Sequence, residues 1–386
     1  MIPLSVPNFE GNEEKYVQDA VIQGWVSTGG AYVDKFEQAI AKYAKVPGAV
    51  ACQSGTAALH LSLIECGVGM DDMVIVPTLT FIAAVNPVMY VHAEPIFMDC
   101  DDSLCIDPKK LRKFCETECE LTESGLTHLY THKKIKALIV VHVFGNLADM
   151  EEIMSIAAEY KLQVVEDATE ALGSYYESGR FKGSMAGSIG DFGAYSFNGN
   201  KIITTGGGGM IISHNKKALG HLKYLSTQAK DDAHFYIHDE VGYNYRMTNV
   251  QAALGIAQME ELEEFIIRKN QNYDLYCELF RGKAEYSILP FRTEVRSNKW
   301  FYSLLLNPDY CKENVRSYIE KLQVAGVQTR PIWGLIHEQK PYMKYIAYDI
   351  IKAKYYSDRI INIPCSTNIS KEEIHKVYEE ILTTVK

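Results

Sequence analysis

The chain has 386 residues, 47% of them hydrophobic and 23% charged, with a formal net charge of −10. That length exceeds one minimal core and fits a large domain with a smaller one, while the composition excludes disorder and fibrous repeats. The acidic balance, without a basic stripe or Lys/Arg block, excludes a polyanion partner, so no nucleic acid is expected.

The opening stretch "MIPLSVPNFEGNEEKY" has neither the basic nor the apolar region of a secretory signal, and nine scattered cysteines read as free thiols. A cytoplasmic location is the expectation. Apolar runs such as "ALIVVHVFG" are far short of a bilayer span, so no membrane association is expected.

From about residue 48 to 215 short apolar runs alternate with helix-like stretches, which is an α/β rhythm. Seven candidate strands follow one another: "GAVACQ", "DMVIVP", "EPIFMD", "IKALIVVHV", "LQVVED", "FGAYSF" and "GGMIIS". Most are apolar throughout, as strands buried on both faces are, and together they predict one large, mostly parallel sheet. Between them "TAALHLSLIECGV" and "MEEIMSIAAEYK" carry the apolar stripe of helices packed on a sheet.

The charged stretch "PKKLRKFCETECELTES" reads as helix. It opens a Cys115, Cys119, His128, His132 pattern whose central spacing is shorter than a zinc finger's. Surface cysteines and histidines on an insertion account for it, and no metal is expected.

Residues 240–280 pass from a Tyr/Asn-rich loop into a long helical run that Thr248 or Asn249 could cap. Beyond it, "WFYSLLLN" reads as a strand, "ENVRSYIEKLQVAGV" as a helix, "QTRPIW" as a strand leading into a turn, and the tail as two helices around "INIPCST". The expected division is a large α/β domain over 20–250, a linking helix over 251–280, and a small α+β domain over 281–386 joined by residues 1–19.

Three features fall at carboxyl ends of candidate strands, where ligands bind in open α/β sheets. In "CQSGTAALHL", Ser54, Gly55 and Thr56 join a strand to a helix whose free N–H groups favour an anion. An ordinary N-capped turn would look the same. In "VVEDATEALGS", Asp167 ends an apolar strand and Glu170 follows; a carboxylate there can hold a ring nitrogen protonated, or simply cap the next helix.

The third is "SFNGNKIITTGGGGMII", where Ser196 ends a strand and Lys201 precedes four consecutive glycines. A desolvated lysine at a sheet end can lose its proton and act as a Schiff-base nucleophile. The glycine run does not follow G-x-G-x-x-G and precedes a strand, which argues against a dinucleotide-binding dehydrogenase. A phosphate turn, an acid for a pyridinium nitrogen and a nucleophilic lysine, in this order, point together to pyridoxal 5′-phosphate. Phe81, just after another strand, either stacks on its ring face or packs in the core.

The stretches "YVDKFEQAIAKYAKVPGAVACQSGTAALHLSL", "PTLTFIA", "VHVFGNLADM", "VVEDATEALGS", "DFGAYSFNGNKIITTGGGGMI", "VGYNYRMTNVQAALGIAQMEEL" and "TRPIW" resemble the DegT/DnrJ/StrS sugar aminotransferases over essentially the whole chain. The resemblance implies a fold type I pyridoxal-phosphate enzyme in which Lys201 holds the cofactor and shuttles a proton, and Asp167 pairs with the pyridine nitrogen. It implies that Thr56, the Ala57 backbone and Ser196 hold the phosphate, with Gly55 and Phe81 around the cofactor. Asn244 would reach the site of a second chain in a homodimer.

Many members carry Gln where this chain has Glu170, near the cofactor hydroxyl, and Glu where it has Gly207. Relatives that replace the lysine with histidine are dehydratases, so Lys201 implies transamination. The motifs look most like the 4-aminotransferases of N-acetylbacillosamine and legionaminic acid synthesis. The implied donor is L-glutamate, with pyridoxamine phosphate as the intermediate cofactor form. The implied acceptor is a UDP- or GDP-linked 4-keto-6-deoxy-N-acetylhexosamine. Arg246 and Arg330 are candidate cations for the glutamate carboxylate or the sugar diphosphate. His142 and His337 are read as packed, hydrogen-bonded histidines. Another keto-deoxy nucleotide sugar is the first alternative, and a non-catalytic cofactor- or sugar-binding protein the second.

Overall fold

A computed structural model of the protein describes residues 1–232 and 234–384. Each of the seven apolar runs forms a strand: β1 (Ala49–Cys52), β2 (Met73–Pro77), β3 (Glu94–Met98), β4 (Lys134–Val141), β5 (Gln163–Asp167), β6 (Phe192–Ser196) and β7 (Gly209–Ile212). They lie side by side in the order β1-β7-β6-β5-β4-β2-β3. From β6 to β3 all neighbours are parallel, and β7 alone runs antiparallel to both of its neighbours. The central strands are buried almost throughout because helices cover both faces.

Three short strands widen this sheet to ten. Ala347–Tyr348 pairs with β3. A hairpin of Cys119–Thr122 and Gly125–His128 pairs with the start of β4. The helix expected over the charged stretch therefore stops at Glu118, where Cys119 turns to extended backbone and enters the hairpin. Cys115 and Cys119 are buried in the core and not on the surface, and His128 stacks on Phe114. No cluster able to hold a metal occurs among the described residues.

The long helix runs Asn249–Leu279, and Thr248 caps it in a reciprocal arrangement with Gln251. Beyond it a second sheet, in the order Tyr286–Ile288, Tyr302–Leu306, Ile360–Ile363, Arg330–Pro331, packs with the helices Val315–Val324 and Lys371–Thr384. The "INIPCST" segment thus contributes a buried strand as well as a linker, since Ile360–Ile363 is enclosed on both faces. Residues near the N-terminus join this region: Ile2 N–H donates to the Gly326 carbonyl at 2.8 Å, and Cys365 N–H donates to the Leu4 carbonyl at 2.8 Å.

Backbone proximity accounts for the last glycine of the run and side-chain crowding for the one before it. A Cβ on Gly209 would lie 2.3 Å from the carbonyl carbon and oxygen of Ser54, so β7 passes directly against the turn that follows β1. Gly208 has φ +157°, and a Cβ there would meet Thr205 Oγ1 at 2.5 Å. Gly209→Ala is expected to destabilise the fold by about 1–3 kcal/mol through overpacking against immovable backbone. Gly220→Ala, on an exposed helix position with open space around it, is expected to stabilise by about 1 kcal/mol. Opposite shifts of the thermal midpoint in the two variants check this reading.

Candidate active site

A cavity of about 380 Å³ opens where the carboxyl ends of β1, β4, β5 and β6 meet the second sheet's region. Gly55, Thr56, Phe81, Asp167, Glu170, Ser196 and Lys201 all line it. Residues separated by more than a hundred positions converge here because parallel strands all deliver their ends to one side of the sheet.

The turn after β1 is held by Ser54, whose hydroxyl accepts from Ala57 N–H at 3.1 Å as the cap of helix Gly55–Glu65. The N–H groups of Gly55 and Thr56 precede the first intrahelical bond and have no partner among the described residues. With the Thr56 and Ser196 hydroxyls beside them, they form a donor set suited to a phosphate at a helix N-terminus. Ala57 does not line the cavity, and its N–H is engaged by Ser54. A Cβ on Gly55 would lie 3.0 Å from the Ser196 Cβ and 3.0 Å from Thr169 Cγ2, so the cradle is closed from below.

Strand alternation sorts the two acids at the end of β5. Asp167 lines the cavity, and burial pushes its carboxyl above the ordinary range against a hydrogen bond from Thr169 N–H at 3.1 Å. Glu166 lies wholly buried and outside the cavity lining, with four neighbours donating to it: Gly187, Ile189 and Gly190 N–H, and His142 Nε2 at 2.8 Å. His142 Nδ1 accepts from Ala148 N–H, which fixes the Nε2–H tautomer and makes this histidine a structural donor.

Lys201 lies one short loop beyond β6. Burial lowers the pKa of its amine, opposed by the nearby carboxylates of Glu170 and Asp167. Nζ lies 3.7 Å from Glu170 Oε1 and 4.1 Å from the centre of the Trp300 ring. Burial likewise pushes the Glu170 carboxyl up to about 7, although Lys201 and the Phe144 N–H, which donates to Oε2 at 2.9 Å, pull it down. Phe144 reaches that position with φ 55°, a left-handed conformation that costs a non-glycine residue of the order of 1 kcal/mol.

Other predicted residues lie elsewhere. Phe81 sits at the cavity's rim, 54% exposed, and so is not core packing. Asn244 is exposed and outside this chain's cavity. Arg246 donates to Gln228 Oε1 at 3.3 Å, and Arg330 is exposed with its guanidinium near its neighbour's carbonyl; neither lines the cavity. His337 shares a 2.6 Å hydrogen bond with Thr78 at the end of β2.

The aromatic wall was not foreseen. Trp300 and Phe301 stack at 4.0 Å, Trp333 lies 4.7 Å from Phe144, and Trp300, Phe301 and Trp333 all line the cavity. Trp300 Nε1–H donates to the Asn200 carbonyl at 2.7 Å, tying the wall to the lysine loop. The adjacent aromatics that open "WFYSLLLN" are its signal in the sequence: expected within the strand, Trp300 and Phe301 precede it, because the strand begins at Tyr302. Asn298, fully buried, holds wall and acid together: its Nδ2 donates to the Glu170 and Leu172 carbonyls at 2.9 Å each, and its Oδ1 accepts from Trp300 N–H.

The fold and site define a class: a mostly parallel sheet presenting a buried lysine, buried acids and a helix N-terminus with free N–H groups to one cavity. Residues 7–382 match the DegT/DnrJ/EryC1/StrS aminotransferase family, and the chain belongs to it. It is 35% identical to the GDP-perosamine synthase of Escherichia coli O157:H7, over 98% of this chain and 97% of that protein. It is 29% identical to the UDP-4-amino-4,6-dideoxy-N-acetyl-beta-L-altrosamine transaminase of Campylobacter jejuni strain 81-176, over 100% of this chain and 98% of that protein. The fold superposes with TM-score 0.88 on a Streptococcus pneumoniae protein assigned as a sugar aminotransferase and solved in its PMP form, at 25% identity, covering 100% of this chain and 99% of that one. Among the described residues no helix is long and apolar enough to cross a membrane.

Asn298→Ala is expected to cost about 1–3 kcal/mol for each carbonyl it leaves buried and unpaired. A denaturant midpoint within error of the wild type would contradict the bracing role.

Proposed function

We propose that the protein is a pyridoxal-phosphate-dependent aminotransferase that moves the amino group of L-glutamate to the C4 ketone of a nucleotide-linked 2-acetamido-2,6-dideoxy-4-hexulose. The donor leaves as 2-oxoglutarate and the product is a 4-amino sugar nucleotide of the bacillosamine or legionaminic type. The observation that carries the reading is the convergence of Lys201, Asp167 and the unpaired Gly55 and Thr56 N–H groups on one cavity.

The donor set fits the cofactor. Thr56, Ser196 and the free N–H groups hold the phosphate, and Asp167 holds a proton at the ring nitrogen. When bound, the cofactor supplies an electron sink for the bond-breaking at the amino carbon. Lys201, whose amine burial shifts toward the neutral form, serves as nucleophile and then as the base that moves the proton. Phe81, at the rim, covers the ring face. Trp300, Phe301 and Trp333 exclude water from one wall of the cavity and offer apolar faces to a sugar. Asn244, exposed and outside its own chain's cavity, serves the phosphate site of a second chain in a homodimer, with Arg246 and Arg330 available to the carboxylate or diphosphate.

The relative at 35% identity is named for a GDP-linked sugar, which favours GDP as the nucleotide. The N-acetyl group appears in the name of the UDP-linked relative. A half-reaction separates these. Treatment with L-glutamate is expected to remove the visible band of the bound cofactor, and titration with the UDP- or GDP-linked 4-keto-6-deoxy-N-acetylhexosamine to restore it with one nucleotide only. Failure of both sugars would overturn the N-acetyl substrate, and failure of glutamate the donor.

Lys201→Ala is expected to abolish both the band and amino transfer at an unchanged melting temperature; retained turnover would sink the assignment. Asp167→Asn is expected to retain cofactor while lowering kcat about 100-fold or more, as loss of a proton-holding group does.

A further inference from the structure

Glu170 has one oxygen committed and one free. Oε2 accepts the Phe144 N–H at 2.9 Å, which orients the carboxyl and leaves Oε1 facing Lys201 Nζ at 3.7 Å. That separation is ion-pair range, and proton exchange requires it to close to hydrogen-bond distance. The two side chains are 4% and 12% exposed, so bulk water is a poor proton source for either.

The other groups near Lys201 cannot serve it in the same way. The Trp300 ring stabilises a cation but accepts no proton. Asp167 has Oδ1 engaged by Thr169 N–H, and in the reading above its carboxylate is reserved for the cofactor's ring nitrogen. His142 is paired with Glu166, which is saturated by backbone donors.

We propose that Glu170 is a second proton-holding residue of this site, exchanging one proton with Lys201. In the forward direction the ammonium gives a proton from Nζ to Oε1. The N–H bond breaks, an O–H bond forms, and the nitrogen keeps the electron pair it needs to attack; the reverse step restores the ion pair. The direction of both shifts agrees: burial raises Glu170 and lowers Lys201, so the neutral pair approaches the ion pair in free energy. Asp167 bears on the same equilibrium, disfavouring the Glu170 carboxylate and favouring the Lys201 ammonium.

This inference rests on Lys201 being the nucleophile proposed above, and it is tested on the full chain freed of cofactor. Competitive labelling of Lys201 with acetic anhydride between pH 6 and 10, read by peptide mass spectrometry, gives the amine's midpoint in the wild type and in Glu170→Gln. Carbon-13 carboxyl titration of the glutamate-labelled chain gives the Glu170 midpoint in the wild type and in Lys201→Ala, with the resonance assigned by its loss in Glu170→Asp.

Coupling is reciprocal. The expected results are a fall of the Lys201 midpoint by about one pH unit, a tenfold change, in Glu170→Gln, and an equal rise of the Glu170 midpoint in Lys201→Ala. The two arms use different variants, so one that fails to fold leaves the other to decide. Unchanged midpoints overturn the proposal. Unchanged midpoints together with abolished transfer in Lys201→Ala remove this inference and leave the aminotransferase reading standing, whereas transfer surviving in Lys201→Ala removes that reading itself.

Discussion

The site depends on one backbone contact, the passage of β7 against the turn that follows β1. Gly209 has no room for a side chain beside Ser54, and Gly55 has almost none beside Ser196 and Thr169. These contacts fix the distance between the helix N-terminus that offers free N–H groups and the strand that carries Ser196 and leads to Lys201. A sheet otherwise parallel from β6 to β3 accepts one antiparallel strand at this position, and its register with β1 and β6 sets the site's geometry. A helix N-terminus with free N–H groups and a lysine from separate strands are thereby held at one cavity.

Given that frame, desolvation decides which charges do chemistry. Neighbouring acids on β5 receive opposite fates from the two-residue period of a strand. Glu166 is met by four donors in the interior, so its buried oxygens are fully hydrogen-bonded. Asp167 and Glu170 face the cavity with fewer donors, and burial raises both. The groups left incompletely satisfied are those that line the cavity, and that is where proton-transfer chemistry is expected.

Much of the frame was legible in the sequence because it depends on local patterns. Apolar runs of strand length between helical stripes locate the seven central strands of the large sheet, and Thr248 or Asn249 marks the start of the long helix, where Thr248 is the cap. Ser54, Asp167, Ser196 and Lys201 were legible because a residue at the carboxyl end of a parallel strand has a place in the sheet's geometry before any tertiary contact is known. Trp300 was not, since its position depends on hydrogen bonds to Asn200 and Asn298 and on stacking with Phe301, none of which has a periodicity. The short pairings at Cys119–Thr122, Ala347–Tyr348 and Ile360–Ile363 escaped for a related reason. The first two are edge additions too short to show alternation, and the third is an apolar strand flanked by helical signals that outweigh it.

The charge inventory of the cavity carries a further constraint. Its own side chains contribute two carboxyl groups, Asp167 and Glu170, against one amine, Lys201. A phosphate bound at the Gly55 and Thr56 N–H groups would add negative charge held by neutral donors and a helix dipole, with no arginine or second lysine in the lining among the described residues to balance it. In a low-dielectric cavity that excess is relieved most cheaply at the carboxyl whose ionisation is already least favoured. Glu170, pushed up to about 7 before any phosphate is present, is that group, so binding the anion and protonating Glu170 favour one another. Asp167 would be relieved differently if, as proposed, a protonated ring nitrogen of the cofactor pairs with its carboxylate. On the proposed reading, two acids three residues apart would thus answer one excess of negative charge in different ways, Glu170 by holding a proton and Asp167 by pairing with a cation.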